Sequence, residues 1–181
     1  MKLKKIALDP GHGGSDPGAV SKKYQEKEVN LILASHLLIN LIHSKYEPLL
    51  LRGGDLNKSL EARVEEASSW QADFFLSLHH NGHSNPEARG TECFHFPGSP
   101  VGEMAATALQ QEMVKLLKIP DRGVKSSSAF FVLRQTPMPA VLIEPLFLTS
   151  YLDRNVLICP NYFPMLSKSI IKALNSLNGK L

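Results

Sequence analysis

Short apolar runs alternate with amphipathic stretches of helical period along almost the whole chain. The apolar runs, bounded by polar or turn residues, predict buried strands, and apolar positions three and four residues apart predict helices. Because the strands carry apolar residues on both faces and are separated by helices, the pattern favours an α/β fold. We expect a mostly parallel, twisted, six-stranded sheet flanked by helices on both faces.

The predicted elements follow one another without an internal repeat or a linker. The charged side chains of the second helix, Arg63 among them, are predicted to face solvent. The third helix is predicted to bury an apolar face made of Met104, Ala108, Met113, Leu116 and Leu117. Strands are predicted at 5–9, 48–52, 73–79, 90–96, 130–134 and 140–144, and helices at 27–44, 55–70, 101–118 and 164–177.

Composition narrows the class of protein. The chain has 181 residues, of which 43% are hydrophobic and 20% charged, enough apolar surface for one core but not for two. We therefore expect one domain over 1–181. No apolar run approaches the length of a membrane span, so stable membrane insertion is not expected. Cys93 and Cys159 form no CxxC pair and are predicted to be reduced thiols.

The net charge of +3 favours weak attraction to polyanions without naming one. Arginine-rich stripes interleaved with aromatic residues are typical of nucleic-acid binding, and the sequence has none. We therefore expect no nucleic-acid partner.

Side chains suited to metal binding or acid–base chemistry follow three of the predicted strands. His12 comes shortly after the first strand, His79 ends the third and Glu144 ends the sixth. Ligands of open α/β sheets bind beyond the carboxyl ends of the strands. We therefore expect these three side chains at one edge of the sheet.

Two imidazoles and one carboxylate are a ligand set of catalytic zinc sites, which leave a fourth position open. His12, Glu26 and His79 supply such a set. The glycines beside His12 allow close approach of the backbone, and Glu26 stands where a helix dipole favours a carboxylate. Taken singly, His12 also fits an ordinary turn and Glu26 an ordinary helix start, and Glu28 is an alternative to Glu26.

Glu144 is the candidate general base. A carboxyl group at the end of a buried strand has its pKa raised by desolvation, which suits it to accept a proton from a water molecule activated by a metal. The alternative is a structural ion pair with Arg134. With zinc in the site, the expected reaction is amide hydrolysis.

Six segments occur in the order LDPGHGGSDPGA, EKEVNL, FLSLHHN, RGVK, FFVLR and PAVLIEPLFLTS. Over nearly the whole chain they resemble the zinc-dependent N-acetylmuramoyl-L-alanine amidases of bacterial and phage cell-wall lysis, the amidase type 3 family. The resemblance implies one Zn²⁺ per chain on His12, Glu26 and His79, with Glu144 as the catalytic glutamate. It also implies peptidoglycan as the substrate, cleaved between the lactyl group of N-acetylmuramic acid and L-alanine.

Several positions leave alternatives open. The doublet His79-His80 allows two ligands, but neighbours on a strand face opposite ways, and the family register assigns His79. Asn81 and Arg134 are candidate substrate contacts, and both also have ordinary structural uses. Departures from the family pattern stand at Leu146 and Ser150, so the loop after Glu144 is expected to differ in shape. Metal ligation is not expected of the other histidines, His36, His43, His83 and His95.

Many periplasmic members of this family carry a helical insertion that plugs the site. Glu144 follows His79 by 65 positions (144 − 79), and predicted elements fill most of that interval, so an open site is predicted. We expect a monomer that acts at the cell wall, periplasmic or extracellular. No signal peptide is recognised, which indicates phage-type release or a processed mature domain. The alternative functions are a zinc peptidase acting within the stem peptide and a non-catalytic wall-binding module.

Overall fold

Six strands form the main sheet of the protein in a computed structural model, which describes residues 2–181. In chain order the strands are β1 (Lys5–Pro10), β2 (Val20–Ser21), β3 (Tyr24–Gln25), β4 (Glu47–Leu50), β5 (Phe74–Leu78), β6 (Thr91–His95), β7 (Asp121–Ser126) and β8 (Ala140–Glu144). The main sheet has the order β4-β1-β5-β8-β6-β7, and only the β6–β8 pair is antiparallel. β2 and β3 form a separate hairpin. The predicted mostly parallel, six-stranded sheet is confirmed.

Helices cover both faces of this sheet. They are α1 (Glu26–His43), α2 (Leu60–Ser69), α3 (Pro100–Leu117), α4 (Phe131–Gln135), α5 (Tyr151–Leu157) and α6 (Tyr162–Asn178). α1, α3 and α6 share one apolar core with the sheet, and α2 and α4 share a second core with the opposite face. The alternation of β1 explains the division, because Ile6 and Leu8 enter the first core and Ala7 enters the second. No described helix is both long and apolar enough to cross a bilayer.

The prediction of a strand at 130–134 is wrong. The run FFVLR forms most of the one-turn helix α4, which buries Val132 and Leu133 under the sheet. The sixth strand of the sheet is instead β7, whose sequence DRGVKS contains no apolar run. β7 is an edge strand with β6 as its only neighbour, so its side chains do not have to be apolar.

Two burial predictions are also wrong. Met104 was expected in the core but is 40% exposed, because it lies beyond the buried stripe of α3 formed by Ala105, Leu109 and Met113. Arg63 was expected in solvent but is 3% exposed, and it reaches under the sheet edge to a buried carboxylate. Both cysteines are free, Cys93 buried and Cys159 exposed, as expected.

Candidate metal centre

The carboxyl ends of three adjacent parallel strands meet at one edge of the sheet. In the ladders, Pro10 of β1 pairs with Leu78 of β5, and Leu78 pairs with Ile143 of β8. The segments that leave these strands therefore emerge side by side. They carry His12, His79 and Glu144, so the predicted convergence of three strand ends is confirmed.

His12, Glu26 and His79 each present one potential ligand atom, and the three atoms lie within 4.8 Å of one another. His12 Nε2 is 3.2 Å from one oxygen of Glu26, and His79 Nδ1 is 2.9 Å from the other. Tetrahedral zinc with bonds of 2.0–2.2 Å places its ligands roughly 3.3–3.6 Å apart. The donor set and its spacing therefore fit a zinc ion after small side-chain adjustments.

Close packing of the His12 loop against His79 requires glycine at position 11. A Cβ atom added there would lie 2.2 Å from Cε1 of His79, so any other residue would displace the His79 ring or the loop. The next residue, His12, has φ of 63°, in the left-handed region. This conformation is unfavourable for a residue with a Cβ atom, so the loop must be held from outside.

Two buried arginines hold this loop through its carbonyl groups. Arg63 pairs with the Asp9 carboxylate and donates to the carbonyls of Pro10 and His12 at 2.8 and 2.7 Å. Arg52 donates to the carbonyls of Pro10 and Gly11, both at 3.2 Å. The sequence pattern points to neither arginine as a support of the loop. An aspartate at the end of a buried strand, such as Asp9, requires a cationic partner, but the sequence does not identify which arginine provides it.

Asp16 orients the His12 ring. Its carboxylate lies 2.7 Å from His12 Nδ1, so the ring donates there and turns Nε2 toward Glu26. A carboxylate behind a histidine ligand is the usual second layer of a metal site. Burial opposes protonation of His12, but hydrogen bonds and charges from Glu26 and Asp16 raise its pKa to about 9 in the metal-free protein. Asp16 belongs to the LDPGHGGSDPGA segment, but no role is predicted for it from the sequence.

Glu26 stands at the first position of α1 with both oxygens engaged. One oxygen accepts from the His80 backbone N–H at 3.1 Å and from the Asn30 amide at 3.3 Å, and the other accepts from the Ala19 N–H at 2.8 Å. Burial opposes ionisation of Glu26, but hydrogen bonds from the two histidines outweigh it and lower its pKa. Glu26 is thus a fixed carboxylate, whereas Glu28 is exposed on the other side of α1.

His80 points away from the cluster, so the doublet offers only His79. The buried His80 ring donates from Nδ1 to the Asn30 side-chain oxygen at 2.8 Å, and its Nε2 lies 2.9 Å from the Tyr162 hydroxyl. Burial lowers the pKa of His80 to about 3, which keeps the ring neutral. Since Asn30 also donates to Glu26, His80 supports the carboxylate indirectly.

Glu144 lies beside the cluster and is 8% exposed. Its Oε2 atom is buried and, within residues 2–181, has no hydrogen-bond partner. Burial, followed by the negative charges of Glu26 and Glu92, raises its pKa well above the usual value of a carboxyl group. The alternative ion pair with Arg134 is wrong, because Arg134 is exposed, donates to the Ser128 carbonyl at 2.6 Å and stacks on Phe131.

Two grooves meet at His12, His79 and Phe130. One, of about 620 Å³, runs between the start of α2 and α4, and the other, of about 590 Å³, is lined by 81–84, Glu144 and Thr149. Asn81 lines the second groove, whereas Arg134 lines neither. Across the described part of the chain, the metal-ligand cluster contains no fourth acidic or histidine side chain. The site is therefore open, as predicted.

A family model described as N-acetylmuramoyl-L-alanine amidase matches residues 6–176. The chain belongs to the N-acetylmuramoyl-L-alanine amidase family. This family is a class of peptidoglycan hydrolases, and the resemblance read from the sequence is confirmed.

Individual relatives match the chain over most of its length. N-acetylmuramoyl-L-alanine amidase LytC of Bacillus subtilis is 38% identical over 154 residues, which are 84% of this chain and 31% of LytC. The uncharacterized protein YqiI of Bacillus subtilis is 36% identical over 176 residues, 96% of this chain and 84% of YqiI. The chain thus spans about a third of LytC and most of YqiI.

Among solved structures, the fold matches an N-acetylmuramoyl-L-alanine amidase from Clostridium difficile 630 with a TM-score of 0.90 and 32% identity, covering 97% of both chains. The α/β architecture of this chain is therefore that of an amidase catalytic domain.

Proposed function

We propose that this chain hydrolyses the amide bond between the lactyl group of N-acetylmuramic acid and L-alanine, using one Zn²⁺ held by His12, Glu26 and His79. The observation that carries the proposal is the cluster of two imidazoles and a carboxylate within 4.8 Å. The buried, unpaired oxygen of Glu144 in the same groove supports it. When bound, zinc polarises a carbonyl oxygen and makes water nucleophilic near neutral pH.

The chain's own residues prepare the site for the cation. Glu26 supplies a carboxylate that is fixed and ionised before any metal arrives. Asp16 holds one proton of the His12 ring on Nδ1, so that Nε2 is the nitrogen that gives up its proton to bind the cation. All three ligands come from one chain, which supports a monomer as the active unit.

Glu144 acts as the proton carrier in this proposal. With the cation bound, Glu144 ionises despite its burial, accepts a proton from the attacking water and delivers it to the nitrogen of the leaving L-alanine. The groove beside it is lined by Asn81, whose amide we propose as a contact for the substrate. Peptidoglycan as substrate implies action at the cell wall, in the periplasm or outside the cell.

Product analysis of purified muropeptides tests the proposal. Zinc-loaded protein should release an intact stem peptide beginning with L-alanine and leave the lactyl carboxylate on the sugar, both identified by mass. Glu144→Gln should keep its zinc and lose roughly two to four orders of magnitude in rate. Cleavage within the stem peptide would contradict the amidase assignment, and wall binding without any product would favour a binding module.

A further inference from the structure

The RGVK segment, 122–125, takes no part in the candidate metal centre, yet its two cations converge on one buried carboxylate. Arg122 Nε lies 2.7 Å from Oε2 of Glu92, and the ammonium group of Lys125 binds the same oxygen. Glu92 belongs to β6, and its side chain is only 5% exposed. Burial opposes ionisation of Glu92, but hydrogen bonds from the two cations outweigh it and lower its pKa. Glu92 is therefore an anion.

A β-bulge in β7 produces this convergence. Thr91 pairs with Asp121 and Cys93 with Val124, so β7 contains one residue more than β6 over this stretch. The extra residue is accommodated at Gly123, whose φ of 80° suits glycine. In a regular strand, side chains three residues apart face opposite ways. The bulge instead lets Arg122 and Lys125 reach the same carboxylate.

Glu92 connects this pair of cations to the catalytic edge. Its other oxygen accepts from the Asn81 amide at 2.6 Å, and Asn81 lines the groove that contains Glu144. In the antiparallel ladder, Glu92 stands directly opposite Glu144. The cations thus lie beside the end of β8, one side chain away from the groove.

The guanidinium of Arg122 is fixed by two contacts that leave its two terminal nitrogens free. It stacks over the Phe147 ring at 4.8 Å and uses only Nε for Glu92. Within residues 2–181, its two terminal nitrogens donate to no acceptor. The side chains of Arg122 and Lys125 are 37% and 40% exposed. Since one cation neutralises Glu92, the cluster carries a surplus positive charge that solvent and ligands can reach.

We propose that Arg122 and Lys125 form a subsite for a carboxylate of the stem peptide, an inference that rests on the proposed function. A guanidinium with two free, parallel N–H donors matches a carboxylate in geometry and charge. The stem peptide carries free carboxylates beyond L-alanine, whereas the lactyl carboxyl group is tied up in the scissile amide. The subsite therefore lies on the peptide side of the cleaved bond.

Binding to the zinc-loaded Glu144→Gln protein tests the subsite without relying on catalysis. Two muropeptides are compared that differ only in a carboxylate or a carboxamide on the residue after L-alanine. Adding Arg122→Gln should weaken binding of the carboxylate form by about tenfold or more, while binding of the carboxamide form changes by less than about twofold. Arg122→Lys should recover only part of the loss, because it keeps the charge without the paired donors.

The control is Lys172→Gln, which removes a cation that is also paired with a glutamate, Glu112, but lies on α6. It should leave the affinity for both muropeptides unchanged. Equal losses for both muropeptides with Arg122→Gln would assign Arg122 a merely structural role and overturn the proposal. Unchanged affinity for the carboxylate form would overturn it as well. Failure of the wild type to cleave muropeptides would contradict the proposed function but leave this binding comparison valid.

Discussion

His12 combines an unfavourable backbone conformation with two acidic neighbours. Glu26 and Asp16 raise its pKa to about 9 in the metal-free protein, so the ring carries two protons at neutral pH. Zinc needs the unprotonated Nε2 atom. Metal and proton therefore compete for the same nitrogen.

This competition predicts that zinc binding at pH 7 releases about one proton from His12. The apparent zinc affinity should rise about tenfold per pH unit up to about pH 9 and then level off, because the ring is neutral above its pKa. Calorimetry in buffers of different ionisation enthalpy measures the released protons. An affinity that does not change between pH 6 and 8 would contradict this account of His12.

Asp16 fixes the ring of His12 without touching the metal position. Asp16→Asn should therefore weaken zinc binding by about 10–100-fold, the usual effect of losing a carboxylate behind a histidine ligand. Chelator competition measures the change. Glu47→Gln, which alters an exposed ion pair with Lys4, is the matched control and should bind zinc like the wild type. Equal affinities of Asp16→Asn and the wild type would show that the contact is incidental.

Glu144 should make the stability of the metal-free protein fall with rising pH. Its folded-state pKa is raised, so above the unfolded value of about 4.3 the folded protein keeps a proton that the unfolded chain loses. The stabilisation is fully present below pH 4 and is lost as the pH rises toward the folded pKa. Over this pH range Glu144 lowers the free energy of unfolding by about 1.4 kcal/mol per pH unit. Glu144→Gln removes this contribution.

Urea unfolding of the metal-free protein checks this prediction. Glu144→Gln should match the wild type near pH 4 and exceed it in free energy of unfolding at pH 7. If the difference in free energy of unfolding between Glu144→Gln and the wild type is no larger at pH 7 than at pH 4, the Glu144 carboxyl group is not desolvated as the structure indicates.

Among the elements, the sequence predicts β1, β5 and β8, which carry the site, but it does not predict the edge strand β7. β1, β5 and β8 lie in the middle of the sheet, so apolar side chains cover both of their faces and the polar residue at each end stands out. β7 lies at the edge with a bulge, and its polar side chains pair with Glu92, so no apolar run marks it. The apolar run at 130–134 fits a strand equally well, and only packing under the sheet selects the helix α4.

Arg63 illustrates a second limit. A charged residue on an amphipathic helix normally faces solvent, and the pairing of Arg63 with Asp9 joins residues 54 positions apart. Such long-range pairs leave no local pattern in the sequence. The residues that hold the ligands of the metal site in place, unlike the ligands themselves, can therefore be identified only from the structure.

Arg63→Met should destabilise the protein by about 3–5 kcal/mol, because it leaves the Asp9 carboxylate buried without its cation. It also removes the hydrogen bond to the His12 carbonyl, so zinc affinity should fall. Denaturant unfolding measures the first effect. Arg134→Met is the control, since that arginine is exposed, and it should change stability by less than about 0.5 kcal/mol. A similarly small change for Arg63→Met would contradict the role of the buried pair.

At the scale of the molecule, the two ends of the described chain are joined. The Asn178 side chain accepts from the Leu3 N–H at 2.7 Å and donates to the Leu3 carbonyl at 2.9 Å, which ties the end of α6 to the segment before β1. α6 also shares the larger core with α1, the helix that begins at Glu26. The fold thus holds Glu26, at the start of α1, beside the strand ends that carry His12 and His79.

We propose that this fold builds one zinc site from His12, Glu26 and His79. It is tested most directly by an anomalous difference map at the zinc absorption edge from crystals grown with equimolar zinc. We expect one strong peak per chain, about 2.0–2.2 Å from His12 Nε2, a Glu26 oxygen and His79 Nδ1, with Glu144 nearby but not bound. The absence of a peak there, or a peak on another set of side chains, would contradict it.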